Sequence, residues 1–446
     1  MDIKGKTAAD LGRLIDAGKV DPVELTQTYL DAIADSEYGP DIYVRTTPER
    51  ALSEAAGAKD RAKRGMRKSK LDGVPVSWKD LFDTAGVETE AGSQLLAGRV
   101  PEKDCEVLRR ATEAGCICLG KTHMSELAFS GLGVNPRTAT PPNRFDPALA
   151  PGGSSSGAAA SVSYDLAPIG IGSDTGGSVR LPSGWNGLVG LKTTHGLIST
   201  EGVVPLCRGF DTVGPLARSV EDAGLMHEIL SGNSVDFDQE PDLSQCRFLI
   251  SETIYLEGCD SRQLQAFELA VEQLAKAGAK IEYAPVPEIA GILELAKDLF
   301  PFEAYREWGA EIEANPDAVF EPVKKRFMGG KSVTQEAYEA ANRKMLEYRG
   351  SYEARLSGFD AILAPTTPNS PPRTDKLLAD IDYFWDANLL ALRNTRVGNL
   401  LGLCGLTLPT ATDNAGLMFL ATPNSEEGLL QIGRACEGVI SEGRQQ

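Results

Sequence analysis

Basic residues are in short supply. The 446-residue chain carries 45 Lys and Arg against 63 Asp and Glu, a net charge of −18 at pH 7. That balance argues against unaided binding to nucleic acid or to an anionic membrane surface, both of which need a basic face, though it leaves room for a local basic patch. Long apolar runs are missing as well, and no stretch reaches the ~18 residues of a transmembrane helix. The opening, Met1-Asp2-Ile3-Lys4-Gly5-Lys6, lacks the apolar core of a signal peptide. Histidine is scarce, with only His123, His195 and His227, and none of the eight cysteines forms a C-x-x-C pair. No cluster has the spacing of a zinc site, so no metal is expected. Dispersed cysteines in a long chain read as core thiols in a reducing compartment, which places the protein in the cytoplasm.

What is present is an ordinary globular composition, 42% hydrophobic and 24% charged. A prior of ~150 residues per domain allows two or three domains, but large α/β enzymes often stay as one, and a core of this size needs no disulfide. Helix starts are legible at Thr7 and at Asp21-Pro22-Val23-Glu24, which combines a cap, a proline at the first helical position and an acid in the first turn. Folded structure is therefore expected from near the first residue. Val74–Trp78 and Cys116–Leu119 read as buried strands. Arg247–Ile250, the helical spacing of Leu264, Phe267, Val271 and Leu274, and Ala279–Tyr283 form a β-α-β unit, and Ala361–Ala364 is a further strand. Such alternation predicts a mostly parallel or mixed sheet covered by helices.

One segment stands apart. From Pro151 to Pro215 the chain is rich in Gly, Ser and Thr and poor in charge. A flexible linker is the usual reading of such composition. Here apolar runs such as Leu188-Val189-Gly190-Leu191 interrupt it, and glycine inside buried chain marks close backbone approach. By contrast, 231–244 and about 285–379 have irregular polarity and read as a peripheral layer.

Several familiar motifs fail on inspection. Gly329-Gly330-Lys331-Ser332 ends like a phosphate loop, but Lys325 stands where the first glycine belongs. Gly170-Ile171-Gly172 lacks the third glycine of a dinucleotide fingerprint, since Thr175 occupies it. Asp174-Thr175-Gly176 resembles one half of an aspartic-protease dyad, whose other half a homodimer would have to supply. Gly153-Ser154-Ser155-Ser156-Gly157 matches a G-x-S-x-G nucleophile elbow, with His195 and His227 downstream, yet proline and glycine before it oppose the strand an elbow requires.

A constellation carries more weight. Lys79 follows the Val74–Trp78 strand, where an open α/β sheet places its ligands. The triple serine Ser154–Ser156 lies between glycines, and Ser178 follows Gly176-Gly177. Successive amides there can point at one spot and hold a developing oxyanion. A serine nucleophile needs a base, and a lysine serves only when neutral. Bringing it from about 10.4 to about 7 takes about 4 kcal/mol, which burial without a carboxylate partner supplies. Asp80 opposes this unless strand alternation turns it away from Lys79.

The segments Leu71–Asp80, Pro151–Gly157 and Gly172–Pro182 together resemble the amidase signature family. Gly120–Ala128, Gly190–Gly196 and Asp211–Pro215 fit its continuation, and the likeness runs over about 7–230 and 359–436. The resemblance implies an α/β/α sandwich with a large mixed sheet, a single domain over 1–446 with its signature core at about 65–230, and a specificity layer at about 285–379. It implies Lys79 as base, Ser154 as bridging serine after a cis peptide bond, and Ser178, 24 positions later, as nucleophile. The amides of Thr175, Gly176, Gly177 and Ser178 match the family's oxyanion hole. Met124, Ser125, Phe129 and Trp185, and less surely Cys207 and Phe210, are expected to line the substrate pocket.

The implied activity is that of a stand-alone amidase acting on a small-molecule carboxylic amide, without cofactor, and a homodimer stays open. A glutaminase (A) subunit of a tRNA-dependent amidotransferase is the alternative reading, and a binding protein on the same scaffold is a third. Ser156, His195 and Thr193 depart from the commoner glycine, tyrosine and proline of the family. Asp174 and Arg180 are expected to pair and hold the nucleophile loop, with substrate-carboxylate binding as the other role open to Arg180.

Overall fold

The strands without polar alternation are the ones that run through the middle of the molecule. The computed structural model describes residue 2 and residues 4–442. Eleven strands form one mixed sheet: β1 (Tyr43–Thr46), β2 (Pro75–Lys79), β3 (Ile117–Thr122), β4 (Ile169–Ser173), β5 (Val189–Lys192), β6 (Val213–Ala217), β7 (Arg247–Ser251), β8 (Lys280–Ala284), β9 (Ala361–Pro365), β10 (Cys404–Pro409) and β11 (Gly416–Ala421). Their spatial order is β1-β3-β2-β4-β6-β5-β10-β11-β9-β7-β8. Every residue of β2–β6 and β9–β11 is buried. A strand covered on both faces has no solvent side to mark with polar residues, so it reads as an apolar or small-residue run. The helices cover this sheet in the expected α/β/α sandwich.

The helix starts expected at Thr7 and Asp21 hold. Thr7 Oγ1 accepts from the Asp10 amide at 3.0 Å and Asp21 Oδ1 from the Val23 amide at 2.9 Å. The β-α-β unit is β7, the helix Ser261–Lys276 and β8, with the two strands parallel. Within 285–379, four α-helices between Pro287 and Leu356 precede β9, which enters the sheet between β11 and β7. The stretch read as a peripheral layer therefore also contributes one fully internal strand, at the apolar run Ala361–Ala364.

The feature that positions the site is the parallel run β3-β2-β4. Lys79 pairs with Thr122, and Trp78 with Ile171, so the carboxyl ends of the three strands finish side by side. That puts Lys79 next to Ser173 at the last residue of β4. The Gly/Ser-rich segment is buried along most of its length rather than being a linker. Close approach explains its composition. A Cβ on Gly157 would meet the backbone oxygen and nitrogen of His123 at 2.6 and 2.7 Å, so the helix Ser156–Ser163 lies against that chain only because the residue is glycine.

Candidate active site

Lys79 ends β2 and is fully buried. Its Nζ donates to Ser154 Oγ at 2.7 Å and to Ser173 Oγ at 2.8 Å. Among the described residues it pairs with no carboxylate. Asp80 points elsewhere, as strand alternation requires, with Oδ1 3.2 Å from Lys121 Nζ. Burial lowers Lys79 to about 7, against the opposing charges of Asp174 and Asp211. A lysine ringed by hydroxyls near neutrality is equipped to take and return a proton.

Ser154 sits on a loop held from several sides. The Gly153–Ser154 bond is cis, as the resemblance implies. The amides of Gly152 and Gly153 donate to the carbonyls of Leu132 and Gly131 at 3.1 and 2.8 Å. The Ser125 amide donates to the Ser154 carbonyl at 3.1 Å. Ser155 Oγ donates to the Ser173 carbonyl at 3.2 Å, and the Ser155 amide donates to the Ser178 carbonyl at 3.3 Å. These bonds tie the serine loop both to the end of β4 and to the loop that carries Ser178.

That second loop is organised around Asp174. Its carboxylate accepts from the amides of Gly177 (2.8 Å) and Val179 (3.2 Å), from Arg180 Nε and Nη2 (both 3.0 Å), and from Asn399 Nδ2 (2.9 Å). Both members of the Asp174–Arg180 pair are fully buried. Burial pushes the Asp174 carboxyl up, but the charge and hydrogen bonds of Arg180 outweigh it and hold the group well below the usual range. Thr175 Oγ1 donates to Asp211 Oδ1 at 2.6 Å, and Thr395 Oγ1 donates to the Gly176 carbonyl at 2.8 Å. Gly177 has φ of +135°, and a Cβ there would collide with Thr395 Oγ1.

Four amides are expected to form the oxyanion hole, and they do not stand alike. The Gly177 amide is spent on Asp174. Those of Thr175, Gly176 and Ser178 donate to no group among the described residues. The inward turn of the Gly177 N–H fixes the loop and leaves the other three as the available donors.

Ser178, Thr175 and Gly176 open onto a narrow cavity walled by Phe129, Leu206, Phe300, Leu392, Arg326 and Arg396. Of the side chains expected in the pocket, Phe129 is there. Met124 and Trp185 are fully buried in the core instead. Trp185 packs with Leu132 and Leu181 and donates its Nε1–H to Thr367 Oγ1 at 3.0 Å, the ordinary fate of a large aromatic that can reach a polar partner. Ser125 is buried beneath the serine loop, its Oγ 2.7 Å from where a Cβ on Gly153 would sit. Phe210 and Cys207 stand one layer behind the wall. The Phe210 ring lies 4.7 Å from that of Phe300, and Cys207 Sγ is 3.4 Å from the Phe300 carbonyl oxygen.

The model of the amidase family matches residues 24–430. The chain belongs to the amidase signature family. It is 35% identical to 2-amino-5-chloromuconic acid deaminase of Comamonas testosteroni, over 88% of this chain and 87% of that one. It is 31% identical to the A subunit of glutamyl-tRNA(Gln) amidotransferase from Thermobifida fusca (strain YX), over 97% and 95%. Among solved structures, native peptide amidase from Stenotrophomonas maltophilia superposes with a TM-score of 0.84 at 27% identity, covering 99% of this chain and 98% of that one. A further crystal structure of an amidase gives a TM-score of 0.88 at 28% identity, covering 98% and 100%. As a member of this family the chain is an amidohydrolase.

Three departures from the commoner amidase pattern now have places. His195 is exposed, with Nε2 2.8 Å from the Arg208 carbonyl oxygen, and is no part of the Lys79 cluster. Ser156 begins the helix Ser156–Ser163 and is buried, its Oγ without a partner among the described residues. Thr193 Oγ1 donates to the Val213 carbonyl at 3.0 Å. Arg180 is fully buried and bonded to Asp174 and to Asn399 Oδ1 (2.7 Å).

Sequence reasoning gave no role to Ser173, Asp211, Arg326 or Arg396. Ser173 and Asp211 lie inside the family motifs, and the parallel pairing of β2 with β4 is the signal that would have placed Ser173 beside Lys79. Nothing local marks Arg326, third in a Lys-Lys-Arg run, or Arg396 as cavity residues. No helix among the described residues is long and apolar enough to cross a membrane.

Proposed function

We propose that this chain is a stand-alone amidase that hydrolyses a small carboxylic amide to the acid plus ammonia or an amine. Neutral Lys79 takes a proton from Ser154 Oγ, which takes one from Ser178 Oγ as that oxygen attacks the amide carbonyl. The amides of Thr175, Gly176 and Ser178 bind the oxyanion. The tetrahedral intermediate collapses, the proton returns through Ser154 to the departing nitrogen, and the C–N bond breaks. Water then attacks the Ser178 ester by the same relay and releases the acid.

The observation that carries this reading is the pair of hydroxyls on Lys79 Nζ, at 2.7 and 2.8 Å, with no paired carboxylate. The other two buried lysines differ: Lys121 holds a carboxylate in Asp80, and Lys192 donates only to the carbonyls of Thr193 and Leu403, so Lys79 alone among the three meets a pair of serine hydroxyls. The test is covalent labelling of Ser178 by a fluorophosphonate, together with ammonia release from a panel of aliphatic, aromatic and amino-acid amides. Folded protein that takes no label and releases no ammonia refutes the assignment.

The 31% identity to an amidotransferase component favours a second reading, in which the chain hydrolyses glutamine and passes ammonia to a partner. Glutamine hydrolysis that appears only on co-expression with further subunits would select it. The eight cysteines are all free, which supports a reducing, cytoplasmic setting, and Arg326, contributed from within 285–379, supports that layer as the one setting specificity.

A further inference from the structure

The wall of the cavity carries charge of one sign. Arg326, on the helix Glu321–Met328, and Arg396, on the helix Arg393–Leu400, both line the space onto which Ser178 opens. Neither forms an ion pair among the described residues. Arg326 Nη1 donates to the Phe129 carbonyl at 2.9 Å, and its guanidinium lies 4.1 Å from the centre of the Phe129 ring. Arg396 Nη2 donates to the Leu389 carbonyl at 2.7 Å, and its Nε is buried without a partner. Each guanidinium has five N–H donors, so most of this capacity is unspent. Burial first, and then the charge of Arg396, lowers Arg326 to about 9, and burial lowers Arg396 to about 10.

This arrangement runs against the rest of the molecule. With 63 acidic residues the chain has carboxylates to spare, yet the inner cavity has none on its wall. An outer cleft shares Phe300, Arg326 and Arg396 with that cavity and adds Lys297 and Arg393, with Glu294 as its one carboxylate. Arg393 is already spent on the carbonyls of Tyr255 and Glu257. Two neighbouring guanidinium groups without counter-ion are costly to hold in a cavity, and a bound anion relieves that cost. The planar fork of Arg matches a carboxylate in two parallel hydrogen bonds.

We propose that Arg326 and Arg396 clamp a carboxylate on the acyl part of the substrate, so that the preferred substrates are monoamides of short dicarboxylic acids. The clamp rests on the reading of Ser178 as nucleophile. Arg396 Cγ lies 3.4 Å from where a Cβ on Gly176 would sit, so its stem is against the oxyanion loop. Ser178 and both arginines line the same narrow cavity, so the reacting carbonyl and the second carboxylate would share it, which suits a short acid. An uncharged amide leaves both guanidinium groups unmatched. Free glutamine brings an ammonium group for which the inner cavity offers no carboxylate.

The experiment compares succinamate and glutaramate with their uncharged counterparts butyramide and valeramide, with L-glutamine alongside. The expected result is kcat/KM at least about 100-fold higher for the acid amides than for the neutral ones, with glutamine poor. Arg326→Met and Arg396→Met should each cut that ratio at least about 10-fold, chiefly through KM, and Arg396→Lys should restore part of it. Calorimetric binding of succinate to the Ser178→Ala protein provides a readout free of turnover, and each Arg→Met change should weaken it. Should Arg326→Met fail to fold for want of its bond to Phe129, Arg396→Met and the wild-type ratio still decide.

A wild-type ratio near one, or a ratio and succinate affinity indifferent to both arginines, overturns the clamp. Absence of all amide turnover with succinate binding intact would instead sink the proposed reaction and keep the anion site.

Discussion

Lys79 Nζ and Ser154 Oγ stand 2.7 Å apart at the carboxyl edge of the sheet, and the only other side chain bonded to that amine among the described residues is another serine, Ser173. Parallel pairing of β2 with β4 brings the two serines to one lysine, while strand alternation sends Asp80 to Lys121. An amine buried this way loses its charge more easily than one beside a carboxylate.

Replacing the amine tests its role as base. Lys79→Met should lower kcat/KM by about 10²–10⁴ while leaving the circular dichroism spectrum and thermal unfolding temperature unchanged or the latter raised, because an apolar chain of similar length replaces a buried amine. A fully active Lys79→Met enzyme contradicts the relay.

The pH profile has a defined sign. Lys79 titrates at about 7, so below that pH it is protonated and cannot accept a proton. The rate constant kcat/KM should rise about tenfold per pH unit at low pH and level off above about 7. Asp211 raises the lysine's pKa, so Asp211→Asn should move the midpoint to lower pH. A flat profile from pH 5 to 9 counts against the assignment.

The Asp174–Arg180 pair predicts a stability effect. Asp174→Ala leaves a fully buried guanidinium without its counter-ion and should cost about 3–5 kcal/mol in denaturant unfolding. It also frees the Gly177 amide, so turnover should fall even where the variant is folded.

Gly177→Ala addresses the loop directly. With φ of +135° and Thr395 Oγ1 in the way, a methyl group must displace the backbone that carries the proposed oxyanion donors. The expected effect is a fall of about 100-fold in kcat with KM changed far less, measured by steady-state kinetics on the folded variant. An unchanged kcat would mean that the Thr175, Gly176 and Ser178 amides do not depend on this glycine's geometry.

Much of the fold was legible residue by residue. Thr7 and Asp21 mark helix starts because capping is a local matter, and the β7–helix–β8 unit follows from its spacing. The β9 strand shows in its apolar run, but its place inside the sheet between β11 and β7 does not, since strand order depends on how crossovers pack. The cavity wall was the least legible part. Met124, Trp185, Cys207 and Phe210 have the composition of a pocket and the burial of a core, and one sequence does not separate the two.

By itself the sequence determined the parts of the proposed relay: a lysine at the end of a strand, a serine loop set off by glycines, and a second serine after Asp-Thr-Gly-Gly. Backbone geometry over a handful of consecutive residues dictates each of these, so each leaves a contiguous trace. Only the tertiary structure decided what faces that machinery. Ser173 meets Lys79 across a strand pairing, the Gly177 amide turns inward to Asp174, and Arg326 and Arg396 reach one cavity from helices that lie far apart in the chain. Those meetings depend on the packing of whole elements, in which the identity of one residue is fixed by neighbours that local sequence does not contain.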